Sequence, residues 1–401
     1  MATIFHIDVN SAYLSWTARE RLKQGAPDDI RTVASAIAGD PAARRGIILA
    51  KSEAAKACGV TTGETVSAAF KKCPGLKLYP PDHDLYAKCS EEFNDVLERY
   101  SPVIERFSID ESFMDYTDSE KLFGEPVAAA HEIKDTIKNE LGFTVNVGVS
   151  VNKLLAKMAS DFSKPDRVHT LFPDEIESKM WPLPLGELFS VGRKSRKKLI
   201  ESGFKTIGDL AGANPGYLKA LLGQAHGQTV HDYANGIGDA AVVPNDPSER
   251  KGIGNSMTIP YDVRTPEAAD KILLALCEKS CSRLRAAGFY AAVVSVTIRP
   301  ADFSKKRYGH QRRLSAPTCA TTEIYELARQ LFREVWKGEP VRLLGITFGE
   351  IVPDKSAQLN MFDTGETDAH EELDRTVDEI RQKFGSDVIK RGRLTGDKDF
   401  S

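Results

Sequence analysis

The sequence predicts an α+β protein of several domains, and three observations carry that prediction. Residues 1–170 run strand–helix, helix–strand–strand, helix–strand–helix; residues 171–240 read as helices with short loops; residues 250–349 alternate strand and helix again. The first pattern suits a sheet of ferredoxin-like topology with helices on one face, and the last a second small α+β domain. A chain of 401 residues, at roughly 100–200 per domain, has room for two to four domains. Each can bury a conventional core without metal or disulfide staples.

Taken in order, TIFHIDV reads as a short buried strand with Asp8 near its end. SAYLSWTARERLKQG follows as a helix that stops at Gly25, and residues 26–79 are mixed, with turn-like GDPAARRG and CGVTTGE. After Pro80-Pro81 comes an amphipathic helix with Leu85, Cys89, Phe93 and Leu97 four apart. RFSIDESFMDY is two β-type runs around an acidic turn, AAAHEIKDTIKNELG a helix ended by Gly142, and FTVNVGVSV a strand. NKLLAKMASDFSKP is a helix ended at Lys164-Pro165. Beyond residue 250, NSMTIPYDV, YAAVVSVTIRP and VRLLGITFGEI read as strands, with helices over 266–288 and 321–337. After Val352 the pattern is an acidic linker and one helix, HEELDRTVDEIRQKFG.

Composition narrows the function. With 41% apolar and 28% charged residues the chain is ordinary globular protein, not collagen-like, mucin-like or disordered. No apolar run approaches the ~18 residues of a membrane span. The N-terminal stretch has no basic region and carries a carboxylate in its first apolar run, so no signal peptide is expected. Six dispersed cysteines form no CxxC pair, which suits reduced thiols in a cytoplasmic protein. The net charge of −3 hides an asymmetry: residues 250–349 hold 17 Lys/Arg against 9 Asp/Glu, a net of +8. Residues 350–401 carry −5 and residues 1–249 carry −6. A basic module beside acidic neighbours fits a protein that grips a polyanion with one part, although a solvated surface has the same composition.

Three acids stand out by placement: Asp8 at a strand end, and Asp110-Glu111 between apolar Ile109 and Phe113. Neighbouring side chains on a flat strand face opposite ways, so Asp110 and Glu111 converge only if the backbone turns there. Carboxylates gathered at a sheet edge repel unless a cation neutralises them, and an all-oxygen set favours Mg²⁺ or Mn²⁺ over zinc. Two such ions suit in-line phosphoryl transfer. By themselves, a strand-end Asp and an Asp-Glu pair fit solvated turn acids better.

The wider context is more specific. IDVNSAY, SIDESFMD and GVSVNKLLAKMASDFSKPD, in that order and spacing, resemble the Y-family translesion DNA polymerases, in particular the DNA polymerase IV type of Gram-positive bacteria. The resemblance runs to about residue 363. It implies a right-hand polymerase with a ferredoxin-like palm (1–15 and 80–170), small fingers (16–79), a helical thumb with a helix–hairpin–helix (171–240) and a little-finger DNA-binding domain (250–352). An acidic tail with a clamp-binding peptide (353–401) would complete it. The resemblance makes Asp8, Asp110 and Glu111 the catalytic carboxylates that bind two Mg²⁺ (or Mn²⁺) ions, with the Val9 carbonyl as an extra ligand. Tyr13 becomes the steric gate under the incoming sugar. The Ala12 and Tyr13 amides, Lys56 and Lys164 would hold the triphosphate. Many relatives carry Tyr-x-Ala-Arg where this chain has Glu53-Ala54-Ala55-Lys56, so Lys56 offers a point charge in place of a bidentate fork, and Lys51 or Ser52 would take the Tyr's part.

LFSVGRKSRKKLIESGFKTIGDLA resembles a helix–hairpin–helix, with Val191, Gly192 and Lys194 toward a DNA phosphate and Ser190 standing where a glycine is usual. In the +8 module, Arg299, Lys305, Lys306, Arg307, Arg312 and Arg313 would lie along the DNA backbone, giving sequence-independent, salt-sensitive binding. Gln358-Leu359-Asn360-Met361-Phe362 is similar to the bacterial sliding-clamp-binding peptide, with Gln358, Leu359, Met361 and Phe362 contacting the clamp's β subunit. The expected partners are primer–template DNA, deoxynucleoside triphosphates and the clamp, with no membrane, for a monomer in the cytoplasm. The resemblance implies low-fidelity, template-directed DNA synthesis across damage. A non-catalytic, clamp-tethered mutagenesis accessory on the same fold is the alternative. A nucleotidyl cyclase would not need the basic module or the clamp peptide, and a scaffold without chemistry would not need the three acids.

Overall fold

All six residues of the first strand, β1 (Ile4–Val9), are buried, because β1 lies at the centre of a five-stranded sheet covered on both sides. The computed structural model describes residues 2–41, 44, 46–246, 250–353, 366–385 and 388–394. They divide into two units, Met1–Gly39 with Ile47–Asn245, and Asp40–Gly46 with Asp246–Ser401.

In the first unit, β1 leads into α1 (Ala12–Lys23), which is continuous across residues 15 and 16, where the sequence reading divides palm from fingers. A three-stranded sheet follows: β2 (Ser35–Ala38), β3 (Ile48–Lys51) and β4 (Lys77–Tyr79), with α2 (Glu53–Ala57) and α3 (Val66–Lys72) between β3 and β4. Next come α4 (His83–Glu98), β5 (Ile104–Arg106), β6 (Glu111–Asp115), α5 (Glu120–Phe123), α6 (Pro126–Thr136), β7 (Val145–Ser150), α7 (Lys153–Asp161) and β8 (Val168–Thr170). The larger sheet has the order β5-β6-β1-β7-β8, and its first four strands carry the predicted ferredoxin-like topology. The four-residue spacing of α4 puts Cys89, Phe93 and Leu97 into the core with Phe5, Ile7 and Val9 of β1. Each large apolar side chain so buried contributes about 1.5–3 kcal/mol. The Asp82 carboxylate caps α4 by accepting from the Leu85 amide at 3.0 Å.

One expectation needs correction: helices cover both faces of this sheet, not one. The face of Phe5, Ile7 and Val9 packs on α4 and α6, whereas α7 lies on the face of Ile4, His6 and Asp8. Gly148 of β7 makes this possible, since a Cβ there would stand 1.9 Å from the Ala156 carbonyl oxygen of α7. The apolar–small alternation of β7 therefore records two different helix contacts rather than a core face and a solvent face.

Beyond β8, α8 (Arg193–Glu201), α9 (Ile207–Ala211), α10 (Pro215–Leu222) and α11 (Gln224–Ala234) enclose Leu199, Ile207, Leu210, Leu218 and Val230, together with Leu155 and Met158 of α7.

The second unit is β9 (Gly252–Val263), α12 (Pro266–Ala286), β10 (Tyr290–Pro300), β11 (Tyr308–Thr318), α13 (Thr321–Val335) and β12 (Val341–Val352). Its antiparallel sheet has the order β11-β10-β12-β9. The strand β11 is absent from the sequence reading. It is an edge strand with residues 310–313 exposed on both faces, so it has no apolar alternation to reveal it. The last helix, α14 (Glu366–Phe384), packs on α12 and α13 through charge. Arg285 binds Asp374 and Asp378 at 3.2 and 2.6 Å, and the buried Glu371 accepts from the Thr318 hydroxyl at 2.7 Å. Asp374 also accepts the Thr321 amide at 2.7 Å, capping α13, whose own N-cap residue Ala320 has no side-chain acceptor. The acidic tail is thus partly neutralised by arginines of the domain before it.

Candidate active site

Asp8 and Glu111 are register partners on antiparallel β1 and β6, so both side chains point to the same face of the sheet. The Val9 amide donates to the Asp110 carbonyl at 3.0 Å, which ties the third acid to the same strand end. Asp110 closes the turn Phe107–Asp110 before β6 begins, and the Ser108 hydroxyl donates to it at 2.7 Å. Adjacent Asp110 and Glu111 therefore escape strand alternation, because only Glu111 is in the pleat.

Two lysines now neutralise this anionic edge. Lys164 Nζ lies 3.1 Å from Asp8 Oδ2 and 2.8 Å from Asp161 Oδ1. Lys157 Nζ lies 2.5 Å from Glu111 Oε2, and the same oxygen faces His6 Nε2 at 3.3 Å. Among the described residues, no three His, Cys, Asp or Glu side chains already converge as a cation cage.

The electrostatics differ sharply between the two partners. Burial pushes the Asp8 carboxyl up to about 6, with the Glu111 and Asp161 charges adding and Lys164 only partly offsetting them. Burial also acts on Glu111, but hydrogen bonds from His6 and Lys157 and the Lys157 charge outweigh it and hold the carboxyl at about 2. Burial lowers the His6 pKa below its ordinary value, which favours the uncharged ring. His6 Nδ1 lies 2.7 Å from the Ser160 hydroxyl, which itself donates to the Lys157 carbonyl at 2.8 Å. A buried, all-oxygen edge with one carboxyl pushed upward by its own solvation loss fits a divalent cation.

The loop that carries Lys164 is held by two buried amides. Asn146 donates to the Ser160 and Ser163 carbonyls at 2.9 and 2.6 Å and accepts from Asn10 at 3.1 Å. Asn10 in turn accepts the Asp166 amide at 2.9 Å. His6, Lys157, Asn10 and Asn146 were all missed in the sequence. The available signal was polar side chains in fully buried strands, with His6 on the face of Asp8 two residues away.

Tyr13 sits in the first turn of α1, its ring stacked on Tyr86 with centroids 4.2 Å apart and planes 11° apart. Ser11 before it takes a left-handed φ of 46°, and α1 has no side-chain cap. The Ala12 and Tyr13 amides are thus unclaimed by a cap, and a strained non-glycine turn aims them. Lys56 on α2 is exposed and lies 3.4 Å from Glu53. Lys51 Nζ donates to Thr62 at 3.1 Å. The Ser52 hydroxyl is committed as the α2 cap, accepting from Ala55 and donating to the Val33 carbonyl, so it is not available to a ligand.

Before α8, Ser190 adopts φ 78°, so the hairpin reaches the left-handed conformation without its usual glycine. The Val191 amide donates to Leu188 and the Gly192 amide to Ser190, while the first turn of α8, with Lys194, has no side-chain cap. In the second unit, Arg299 stacks on Phe303 at 5.3 Å, and Arg312 on β11 binds Glu334 at 2.7 Å. Lys305 pairs with Glu339 and Arg313 with Glu350. Gln358, Leu359, Met361 and Phe362 lie outside the described residues.

Known proteins match this chain over nearly its whole length. The impB/mucB/samB family profile matches residues 7–161, and the profile of that family's C-terminal domain matches residues 250–361. DNA polymerase IV of Clostridium acetobutylicum is 48% identical, covering 98% of both chains. DNA polymerase IV 2 of Halalkalibacterium halodurans is 37% identical over 88% of this chain and 87% of its own. Among solved structures, a Y-family DNA polymerase chimera of Dbh and Dpo4 shares the fold at a TM-score of 0.74 and 21% identity, covering 88% of this chain and all of its own. The strand-end acids, the ferredoxin-like sheet beneath them and these matches agree: the chain belongs to the impB/mucB/samB family, among relatives named DNA polymerase IV.

Proposed function

We infer that this protein is a template-directed DNA polymerase of translesion synthesis, acting on primer–template DNA and deoxynucleoside triphosphates with divalent metal ions. The observation that carries the site assignment is the register pairing of Asp8 with Glu111, with Asp110 bonded to the same strand end through Val9. In this reading Asp8, Asp110, Glu111 and the Val9 carbonyl would hold two Mg²⁺ ions. Bound there, the metals would activate the primer 3′-hydroxyl and stabilise the departing pyrophosphate.

The chain's own groups supply the rest. Lys164 is anchored at the rim by Asp8 and Asp161, and it would be released toward the triphosphate if a bound cation took Asp8 as a ligand. The Ala12 and Tyr13 amides at the start of α1 donate to phosphate oxygens. Tyr13 lies under the sugar. We assign residues 1–15 and 80–170 to the palm, 16–79 to the fingers, 171–240 to the thumb and 250–352 to the little finger. Lys194 at the start of α8, and separately Arg299 and Arg312, contact DNA phosphates, while the Val191 and Gly192 amides, already donating to Leu188 and Ser190, shape the hairpin. Gln358, Leu359, Met361 and Phe362 bind the sliding clamp, and the enzyme works as a monomer in the cytoplasm. No described helix is long and apolar enough to cross a membrane.

Primer extension in Mg²⁺ tests this directly. Wild type extends, and Asp110→Ala loses about a thousandfold or more in rate, the scale of several kcal/mol of charge stabilisation. Equal extension by the two proteins would refute the site, and extension by neither would leave the accessory reading. Lys56→Ala is expected to raise KM for the nucleotide about three- to tenfold while kcat changes less, because an exposed surface cation contributes binding common to ground and transition states. An unchanged KM in single-nucleotide extension removes Lys56 from the site.

A further inference from the structure

Lys157 is the least explained charge near the acids. It projects from α7, one turn after Lys153, which is taken by Glu105 at 2.9 Å. Its ammonium is largely buried, with 12% of the side chain exposed, between Glu111 and the rings of Phe107 and Phe189 at 5.2 and 5.6 Å. Those rings favour a cation where it stands and restrict its escape. The base of α7 is fixed as well: Gly148 admits the helix backbone against β7, and His6, opposite Gly148 in register, reaches Ser160. Both His6 and Lys157 bind Oε2 of Glu111, and among the described residues no hydrogen bond or ion pair is recorded for Oε1.

We propose that Lys157 and His6 are positioning residues for Glu111: together they hold Oε2, leave Oε1 as the oxygen offered to a divalent cation, and the Lys157 charge loosens the site's grip on that cation. This rests on the assignment of Asp8, Asp110 and Glu111 as cation ligands. The two residues have separable effects. Lys157 adds a positive charge within a few ångströms of the ions, so its loss strengthens metal binding by simple electrostatics. It also frees the carboxylate to rotate, so its loss slows a reaction that depends on ligand geometry. A residue needed only for folding would not move affinity and rate in opposite directions.

The test titrates Mn²⁺ alone into the full-length, metal-free protein by calorimetry and measures primer extension alongside. Lys157→Met should bind Mn²⁺ about tenfold more tightly yet extend primers about tenfold more slowly. Lys157→Arg, which keeps the charge, should return the Mn²⁺ Kd to within about twofold of wild type. His6→Leu removes a ring contact to Oε2 without removing the lysine charge, so kcat should fall while the Kd stays within about twofold. If Lys157→Met does not fold by circular dichroism, Lys157→Gln supplies the same comparison. An Mn²⁺ Kd that is unchanged or weaker in the neutral Lys157 variant overturns the proposal. Glu111→Gln is the control for the assignment beneath it: that variant must lose both Mn²⁺ affinity and extension. If it keeps them, the ligand assignment fails, whatever the Lys157 variants do.

Discussion

Asp8→Asn should yield a protein that is both inactive and more stable than wild type in the absence of metal. Asp8 has 9% of its surface exposed, and burial, its largest influence, raises the carboxyl to about 6 from 3.8. An acid whose folded pKa lies above its unfolded value opposes folding once it ionises. The penalty is absent below pH 4, grows between about pH 4 and 6, and is complete at pH 7. A shift of about two units corresponds to at most about 3 kcal/mol. Asparagine keeps the shape and removes the charge, so in chelator at pH 7.5 the melting temperature should rise by a few degrees, about 2–4 °C per kcal/mol for a unit of this size. Loss of an Asp8 partner for Lys164, which keeps Asp161, reduces the gain. At pH 4 the gain should vanish, since wild-type Asp8 is then protonated as well. Extension in Mg²⁺ should fall about a thousandfold or more. Thermal melts at the two pH values decide the matter: a variant less stable than wild type at pH 7.5 would mean that Asp8 is not a strained, cation-seeking group.

The second large effect is expected at Tyr13. Its ring cannot retreat, because Tyr86 lies flat behind it at 4.2 Å and Trp16 and His83 flank it at 6.1 Å each. Tyr86 is itself buried and tied to Thr17 by a 3.0 Å hydrogen bond. A ribose 2′-hydroxyl pressed on such a wall meets overpacking of about 1–3 kcal/mol, a factor of about ten to two hundred. Tyr13→Ala should therefore raise ribonucleotide incorporation relative to deoxynucleotide about a hundredfold, measured as a ratio of kcat/KM values. Tyr13→Phe should change that ratio little, because the ring and not the hydroxyl forms the wall. An unaltered ratio in Tyr13→Ala would place the sugar elsewhere.

Much of this molecule was legible from local pattern. An apolar run ending in Asp8, four-residue spacing in α4, and the glycine after α1 each specify an element through contacts near in sequence. Their boundaries agree with the structure because helix caps and strand periodicity depend on neighbours. The resemblance carried by IDVNSAY and SIDESFMD pointed to the family in the same way, from short contiguous segments.

What the sequence could not reveal was which elements meet. Two segments share one element string, strand–helix–strand–strand–helix–strand, yet one sheet is ordered β5-β6-β1-β7 and the other β11-β10-β12-β9. That choice rests on pairing between distant strands, which leaves no periodic mark. The edge strand β11 was hidden because both its faces are wet. The −5 tail read as an acidic linker and one helix, and only the structure shows Arg285 and the bare end of α13 taking its carboxylates. The same holds at the site: the sequence by itself named the three acids, but only the close approach at Gly148 set α7 against β1 and brought His6 and Lys157 onto Glu111. Residue types and local spacing determined the chemistry, and long-range packing decided how that chemistry is held.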